Sequence, residues 1–307
     1  MDRKTFLKTA AGAGLGLGIA GSLPSLVLGK TENPLPMVLT ILHTNDTHAR
    51  IDPFPSGQYQ GMGGVTRRAA LVRDIRRENP NTLLLDAGDV FQGTPYFNYY
   101  KGKLDFDVMS QMRYDCGTLG NHEFDNGIAG FVESAQVARF PFVNSNYDIS
   151  RTALAGLVKP YITKSVGGIK VGIFGLGVNL HGFVAPPSYE GVVYQDPVAV
   201  AREMVQELRG NQACDLVICL SHIGYSYDDD QVSDRVVAQQ VKGIDLIIGG
   251  HTHTFLEEPE VFVDDEGNQT LVNQVGFAGI QLGRVDFVFD RNRVRINSSS
   301  RSLKIFG

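Results

Sequence analysis

The sequence centres on LGNHEFDNG, residues 119–127. This stretch places three polar side chains of different chemistry on one bend between two glycines. Asn121 carries an amide oxygen that can bind a metal, His122 can exchange a proton near neutral pH, and Asp125 can fix the tautomer of that imidazole. If a helical turn starts here, the i,i+3 relation brings His122 and Asp125 side by side, as a general acid requires. The alternative is an ordinary helix N-cap at Asn121, so the choice depends on ligands elsewhere in the chain.

Size and composition limit the class of protein. The chain has 307 residues, of which 43% are hydrophobic, enough for one large α/β domain or two small ones. Its formal net charge is −5 and no basic block follows residue 30, so we expect no nucleic-acid partner. The three cysteines, Cys116, Cys214 and Cys219, lie in apolar, strand-like segments, which favours buried thiols over a disulfide framework.

The first 29 residues have the features of an export signal. Arg3, Lys4 and Lys8 precede an uncharged run rich in Ala, Gly and Leu. The order resembles the twin-arginine signal R-R-x-F-L-K, with Lys4 in place of the second arginine. Glycines and Pro24 make this run a weak spanning helix, so we expect no stable membrane span, with a retained anchor as the alternative. The sequence therefore predicts an export signal at 1–29, a linker at 30–36, one domain at 37–307, and a periplasmic or extracellular location.

Side chains with metal-ligand chemistry recur where apolar segments end. The segments predicted as strands are 37–44, 81–85, 114–119, 215–220 and 244–248. The candidate ligands that follow them are Asp46, His48, Asp89, Asn121, His222, His251 and His253. Loops at the carboxyl ends of strands are where open α/β sheets place their ligands. Each residue alone is ordinary, but a ligand type at the end of five strands is hard to obtain by chance.

Two of the candidate pairs are separated by a single residue. Asp46 and His48 follow the first strand, and His251 and His253 follow the last of the five. In extended backbone, side chains two residues apart point to the same side. We therefore expect the two members of each pair to converge.

The rest of the chain alternates helical and strand patterns. Helices are predicted at 65–78, 105–113 and 197–208, and antiparallel strands are predicted after residue 260. Asp196 followed by Pro197 is typical of a helix start. The aromatic run 91–100 forms either a wall for a planar ring or part of the core.

Together the candidate ligands supply two carboxylates, one amide and four imidazoles. Such a set can hold two divalent cations about 3.5–4 Å apart, with Asp89 rather than the earlier Asp86 as the bridging ligand. Nitrogen and oxygen ligands without thiolate favour Mn, Fe, Co, Ni or Zn over Ca or Mg. Two cations can activate a bridging hydroxide and clamp two phosphoryl oxygens, while His122 protonates the leaving alkoxide. The set therefore predicts metal-dependent phosphoester hydrolysis.

Five motifs carry a resemblance to a known family. In chain order they are LHTNDTH (42–48), LDAGD (85–89), LGNHEFD (119–125), LSHIG (220–224) and GGHTH (249–253). They resemble the calcineurin-like metallophosphoesterases, specifically the 5′-nucleotidase branch, which implies a four-layer α/β/β/α sandwich of two mixed sheets flanked by helices. The resemblance also implies two metal sites that share Asp89, with His122 and Asp125 as the catalytic dyad. One metal would take Asp46, His48, Asp89 and His253, and the other would take Asp89, Asn121, His222 and His251.

The resemblance also has a departure. Exported 5′-nucleotidases of this family carry a second, C-terminal domain that stacks the nucleobase, whereas this sequence stops at Gly307. We therefore expect the catalytic domain alone, acting on a small phosphomonoester that is most plausibly a nucleotide. The alternatives are a 2′,3′-cyclic phosphodiesterase, a sulfur-ester hydrolase of the same fold, or a subunit that needs a separately encoded nucleotide-binding partner.

Overall fold

The computed structural model describes residues 36–307. The predicted export signal at 1–29, and the predicted linker up to residue 35, lie outside the described residues. Within the described part of the chain, no helix is long and apolar enough to cross a lipid bilayer. Cys116, Cys214 and Cys219 are all buried free thiols, as the sequence predicts.

The described residues alternate strands and helices in the order expected of an α/β protein. The strands are β1 Met37–Thr44, β2 Thr82–Asp86, β3 Cys116–Thr118, β4 Phe142–Val143, β5 Tyr147–Asp148, β6 Val158–Lys159, β7 Tyr161–Val166, β8 Ile169–Gly177, β9 Val193–Tyr194, β10 Leu216–His222, β11 Leu246–Ile248, β12 Glu260–Val263, β13 Gln269–Asn273, β14 Gln281–Phe289 and β15 Arg295–Lys304. The helices are α1 Val65–Glu78, α2 Pro95–Tyr100, α3 Lys103–Gln111, α4 Gly127–Ala135, α5 Pro197–Val205 and α6 Asp234–Gln240.

The strands form two mixed sheets and one separate pair. The first sheet has the order β15-β14-β1-β2-β3-β4-β6 and is parallel from β1 to β6, with β14 and β15 antiparallel at one edge. The second sheet has the order β12-β13-β11-β10-β8-β7 and is parallel except at its two edge strands. β5 and β9 form the separate antiparallel pair.

Side-chain alternation along the strands builds four layers. Ile41 of β1 and Ile218 of β10 belong to one apolar cluster, which lies between the two sheets. The next residue of β1, Leu42, points the opposite way and packs in the cluster that contains α1, α3 and α4. Val217 of β10 likewise packs against α5 and α6. The order of layers is therefore helices, sheet, sheet, helices, which confirms the predicted α/β/β/α sandwich.

Several elements depart from the sequence prediction. β1 and α1 have the predicted bounds, but the predicted strand at 114–119 is only Cys116–Thr118. The helix at Pro197 begins as predicted, with Asp196 Oδ1 accepting a hydrogen bond from the Ala199 amide at 2.7 Å, and continues beyond Val205 as a π-helical turn. Helices α4 and α6 and strand β15 are additions that the sequence analysis did not predict.

The stacking of the two sheets brings the strand ends together. β1, β2 and β3 are parallel neighbours in one sheet, and β10 and β11 are parallel neighbours in the other. Backbone hydrogen bonds tie the loops that follow them. The Asp46 amide donates to the Gly88 carbonyl at 2.9 Å, and the Ala278 amide donates to the Asp46 carbonyl at 2.7 Å. These loops converge at one edge of the sandwich.

Candidate metal centre

The loop residues that carry the candidate ligands have left-handed backbone conformations. The φ angles are 49° at both Asp46 and His48, 55° at Asp89, 73° at His251 and 52° at His253. The expectation of extended backbone at the two spaced pairs is therefore wrong, because both chains bend sharply after the strand ends. Each such non-glycine residue costs about 1–3 kcal/mol of strain, and such strain is concentrated at functional sites.

One cluster of ligand atoms lies against Asp46, a fully buried carboxylate. The Oδ1 atom of Asp46 lies 3.4 Å from His253 Nε2 and 4.0 Å from His48 Nε2. The two imidazole nitrogens, His48 Nε2 and His253 Nε2, are 2.9 Å apart. These three ligand atoms lie within 4.8 Å of one another, so a single cation can reach all of them.

A second cluster contains Asp89, His222 and His251, again with ligand atoms within 4.8 Å of one another. His222 Nε2 lies 3.1 Å from Asp89 Oδ2, and Asn121 Oδ1 lies 2.8 Å from His251 Nδ1. His251 and His253 thus belong to different clusters and do not aim at one point. Asp89 also groups with His48 and His122, so it stands between the two clusters.

The protonation of the histidines fits a bound cation. The Ala87 carbonyl lies 2.7 Å from His222 Nδ1, and the Phe91 carbonyl lies 3.1 Å from His48 Nδ1. A carbonyl can only accept a hydrogen bond, so both Nδ1 atoms carry the proton and both Nε2 atoms present a lone pair in the neutral ring. His222 Nε2 is buried without a hydrogen-bond partner and faces a carboxylate oxygen. A cation between these electron pairs satisfies them.

The charges point to the same need for a cation. Burial lowers the pKa of His222, but the negative charge of Asp89 outweighs it and raises the pKa to about 10. Burial raises the pKa of Asp89, yet the charge of His222 holds it below its ordinary range. Asp89 and His222 therefore favour each other's charged forms, and a cation bound here would compete with a proton for His222 Nε2. Metal binding would release this proton.

His122 and Asp125 pair as the sequence predicts. A short 3₁₀ turn, His122–Phe124, carries the pair, and His122 Nδ1 lies 2.8 Å from Asp125 Oδ2. The backbone amide of His122 donates to Asp89 Oδ1 at 2.8 Å, which fixes the imidazole beside the second cluster. Asn121 makes no side-chain cap at this turn. Asn121 thus occupies the N-cap position with an acid in the first turn, as the alternative expected, but its side chain is directed to His251 and does not cap the turn.

A family model for calcineurin-like phosphoesterases matches residues 39–255. The chain belongs to this family. Its relatives include the snake venom 5′-nucleotidase of Crotalus adamanteus, 35% identical over 293 residues that cover 86% of this chain and 47% of the relative. A trifunctional nucleotide phosphoesterase of Bacillus subtilis is 36% identical over 83% of this chain and 18% of its own length. The crystal structure of a 5′-nucleotidase precursor from Thermus thermophilus superposes with a TM-score of 0.77 at 35% identity, over 88% of this chain and 55% of that one.

These comparisons confirm the predicted family and fold of this calcineurin-like phosphoesterase. The chain spans about half the length of the curated 5′-nucleotidases that it matches. The family implies divalent metal ions, and the two clusters of histidine and aspartate supply ligands of the appropriate chemistry.

Sequence reasoning missed Glu123, a fully buried carboxylate of the phosphoesterase site. Its Oε2 accepts hydrogen bonds from the amides of Asp89 at 2.9 Å and Gly120 at 2.6 Å. Its Oε1 accepts from the amides of Val90 at 2.8 Å and Phe91 at 3.2 Å. Burial and the charge of Asp89 raise the pKa of Glu123 to about 7. From the sequence, Glu123 is only an acidic residue in the first turn of a helix. Its burial was not predictable, because it depends on a loop more than thirty residues away.

One neighbouring carboxylate and two aromatic rings complete the surroundings of the site. Asp86 is buried and accepts hydrogen bonds from Thr44 Oγ1 at 2.6 Å and the Gly88 amide at 2.9 Å, so it supports the loop and does not face the clusters. The ring of Phe277 stacks on His253 at 5.2 Å, and the ring of Phe183 meets His251 edge-on at 4.8 Å. The sequence analysis assigned no role to either ring.

Proposed function

We propose that this calcineurin-like phosphoesterase hydrolyses phosphomonoesters, with nucleoside 5′-monophosphates as the preferred class. The observation that carries the proposal is the position of Asp89, which stands between two histidine and aspartate clusters with His122 beside it. One cation would be held by Asp46, His48, Asp89 and His253, and the other by Asp89, Asn121, His222 and His251. When bound, divalent cations such as Mn, Zn, Fe, Co or Ni supply Lewis-acid stabilisation of the phosphoryl oxygens and activate water as the nucleophile.

The chain itself supplies the proton that the leaving group needs. Asp125 holds His122 by Nδ1, so Nε2 is the nitrogen that can reach a substrate. Burial lowers the pKa of His122, but the hydrogen bond to Asp125 and the charge of Asp89 outweigh it and raise the pKa. These two interactions thus favour the imidazolium form of His122 more than in a free histidine side chain. As the P–O bond breaks, the proton on Nε2 passes to the leaving oxygen and the alcohol departs neutral.

Relatives of the chain support nucleotides as the substrate class. A relative with 35% identity is a 5′-nucleotidase, which supports nucleoside monophosphates. A broader range of nucleotide phosphoesters is the second candidate, because another relative is named a trifunctional nucleotide phosphoesterase. We also propose, from the sequence alone, that residues 1–29 direct export and that residues 37–307 form the catalytic domain.

The test combines a metal panel with a phosphoester panel. The purified chain, stripped of metal and reloaded with Mn²⁺ or Zn²⁺, should cleave nucleoside monophosphates. His122→Ala should keep its metal content, measured by mass spectrometry, and lose turnover by about 10²–10⁴-fold. His181→Ala is the matched control, since His181 is exposed and outside both clusters. A chain that cleaves no phosphomonoester with any metal would refute the proposal, and equal loss of metal in His122→Ala would make that residue a ligand.

A further inference from the structure

A cavity of about 690 Å³ lies next to the metal centre and has no part in the chemistry described so far. Its walls come from the loop after β1 and from helix α2. The residues that define it are Arg50, Pro53, Pro55, Tyr96, Tyr99 and Tyr100. Its size, its largely apolar and aromatic walls and its few polar groups are typical of a small-molecule site.

This cavity adjoins the candidate metal centre directly. A smaller cavity of about 290 Å³ is lined by His48, His122 and His253, and Arg50 lines both cavities. The two walls are also tied together. Thr94 Oγ1 donates to the Ala49 carbonyl at 2.7 Å. A ligand with one end at the histidines therefore extends past Arg50 into the larger cavity.

The tyrosines of α2 form an aromatic surface on one wall of the larger cavity. The rings of Tyr96 and Tyr100 are nearly parallel, at an interplanar angle of 20°, with centroids 6.5 Å apart. A planar ring held between two aromatic faces needs about 7 Å between them, so a base would stack on the outside of this pair and not between the two rings. Tyr96 is held in place by a hydrogen bond of 2.7 Å from its hydroxyl to Asp52 Oδ2. Tyr99 meets Tyr100 edge-on at 5.2 Å and closes the surface.

These rings are exposed, in contrast to their neighbours in the same run. Phe91 and Phe97 are buried in the helix-side core, whereas Tyr99 and Tyr100 are 83% and 44% exposed. The run at 91–100 thus has a buried part, which belongs to the core, and an exposed part, for which a wall for a planar ring stays a prediction. Exposed aromatic rings beside a reactive centre are characteristic of a ligand-binding surface.

Arg50 lies between the two cavities and has a donor to spare. Its Nε atom is buried without a hydrogen-bond partner among residues 36–307, and its guanidinium lies 4.3 Å above the ring of Phe54. A buried donor of this kind needs an acceptor, and sugar or phosphate oxygens qualify. From the smaller cavity to the larger one, a ligand would therefore meet first the candidate cation ligands, then the guanidinium of Arg50, and then the aromatic rings. A nucleotide presents phosphate, sugar oxygens and planar base in that same order.

We propose that the cavity formed by Arg50, Pro53, Pro55, Tyr96, Tyr99 and Tyr100 binds the base of the nucleotide substrate, with the base stacked on the Tyr96 and Tyr100 rings. This inference rests on the proposed function for the identity of the ligand. The stacking surface itself is independent of bound metal. Phe183, which meets His251 on the other side of the centre, is the rival aromatic wall.

Direct binding tests the cavity without catalysis. Adenosine should bind the metal-free chain in calorimetry, whereas ribose should bind far more weakly. Tyr100→Leu should weaken adenosine binding by about tenfold, the scale of one base–aromatic stack, and Tyr100→Phe should retain it. Tyr161→Leu is the matched control, because Tyr161 lies on edge strand β7 and contacts Glu207. Adenosine binding that is unchanged in Tyr100→Leu, or lost instead in Phe183→Leu, would overturn the inference.

Kinetics separates this inference from the proposed function. The ratio of kcat/KM for adenosine 5′-monophosphate over ribose 5-phosphate should fall about tenfold in Tyr100→Leu and stay at the wild-type value in Tyr161→Leu. A wild-type chain that cleaves both substrates, with a ratio insensitive to Tyr100, leaves the phosphomonoesterase standing and refutes the base site. A chain that cleaves neither substrate refutes the proposed function, and the adenosine measurement then decides on the cavity.

Discussion

Glu123 shows how a single buried residue can hold a site together. Its carboxylate accepts hydrogen bonds from the amides of Asp89, Val90 and Phe91 in the loop after β2, and from Gly120 in the loop after β3. Both loops carry candidate ligands, Asp89 and Asn121. One side chain therefore sets the distance between two loops that the sequence separates by about thirty residues. Interactions of this kind orient metal ligands without touching the metal.

Glu123→Gln should weaken the site and the fold together. The amide nitrogen of glutamine is a donor, so it cannot accept the two backbone hydrogen bonds made by one carboxylate oxygen, and buried N–H groups lose their partners. We expect unfolding free energy to fall by about 2–4 kcal/mol and metal affinity to fall by about 10–100-fold. Urea unfolding and Mn²⁺ titration measure these losses. Glu133→Gln, which changes a largely exposed carboxylate, is the control. Unaltered metal affinity in Glu123→Gln would show that the hydrogen bonds of Glu123 to the two loops are not needed to position the metal ligands.

The buried carboxyl group of Asp105, which lies outside the candidate metal centre, should make the stability of the fold depend on pH. Burial raises the pKa of this carboxyl to about 7, with Arg68 opposing the shift. The folded chain thus keeps a proton that the unfolded chain has lost, so unfolding free energy falls as pH rises through this range. In Asp105→Asn the fall between pH 5 and pH 8 should be smaller by about 2–3 kcal/mol. Urea unfolding at both pH values tests this, with Asp107→Asn on the surface of the same helix as control. Parallel pH profiles for the wild type and Asp105→Asn would contradict it.

At the scale of elements, apolar patterns predicted the helices and strands whose bounds depend on local sequence. β1 and α1 have their predicted bounds because an apolar run or stripe ends at polar residues in each. β15 was missed because its sequence, RINSSSRSLK, is mostly polar and forms a strand through pairing with β14. Helix α4 contains Gly127 and Gly130, which lower its helix propensity.

In the candidate site, too, some features were predictable from local sequence and others were not. Its ligands could be found because each polar residue follows an apolar strand, which is a local signal. The left-handed backbone at Asp46 and His253 was not predictable, because loop–loop hydrogen bonds stabilise it. The side chains of Asp46 and His48 do converge as predicted, but a bend in the backbone brings them together and not an extended strand. The predicted convergence of His251 and His253 does not occur.

Close approach of the two sheets depends on Gly175 in β8. A Cβ atom at this position would lie 2.5 Å from Thr118 Oγ1 and closer still to the Val143 carbonyl, both in the opposite sheet. Gly175→Ala should therefore force the sheets apart locally and lower unfolding free energy by about 1–3 kcal/mol. Gly210→Ala is the control, because a Cβ there meets no atom within 4 Å. Chemical denaturation compares the two variants, and equal stability of both would mean that the sheets tolerate the added methyl group.

At the scale of the whole molecule, the candidate metal centre lies where the two sheets of the sandwich meet. Asp46, His48, Asp89 and Asn121 follow strands of the first sheet, whereas His222, at the end of β10, and His251 and His253 belong to the second. The sheets pack through an apolar cluster, but at this edge they present carboxylates and imidazoles to one another. Cations bound there would add contacts that only the folded chain can make.

Metal binding should therefore stabilise the entire fold. A ligand that binds only the folded state at a hundred times its Kd adds about 2.7 kcal/mol, which for a chain of this size corresponds to a rise in Tm of about 4–5 °C. Calorimetry of the stripped chain with and without Mn²⁺ measures the shift. Asp89→Asn, which changes the carboxylate that stands between the two clusters, should lose most of the rise, whereas His181→Ala should keep it. If Mn²⁺ binds and Tm stays constant, the unfolded chain binds the ion as well as the folded chain does, and the metal does not stabilise the fold.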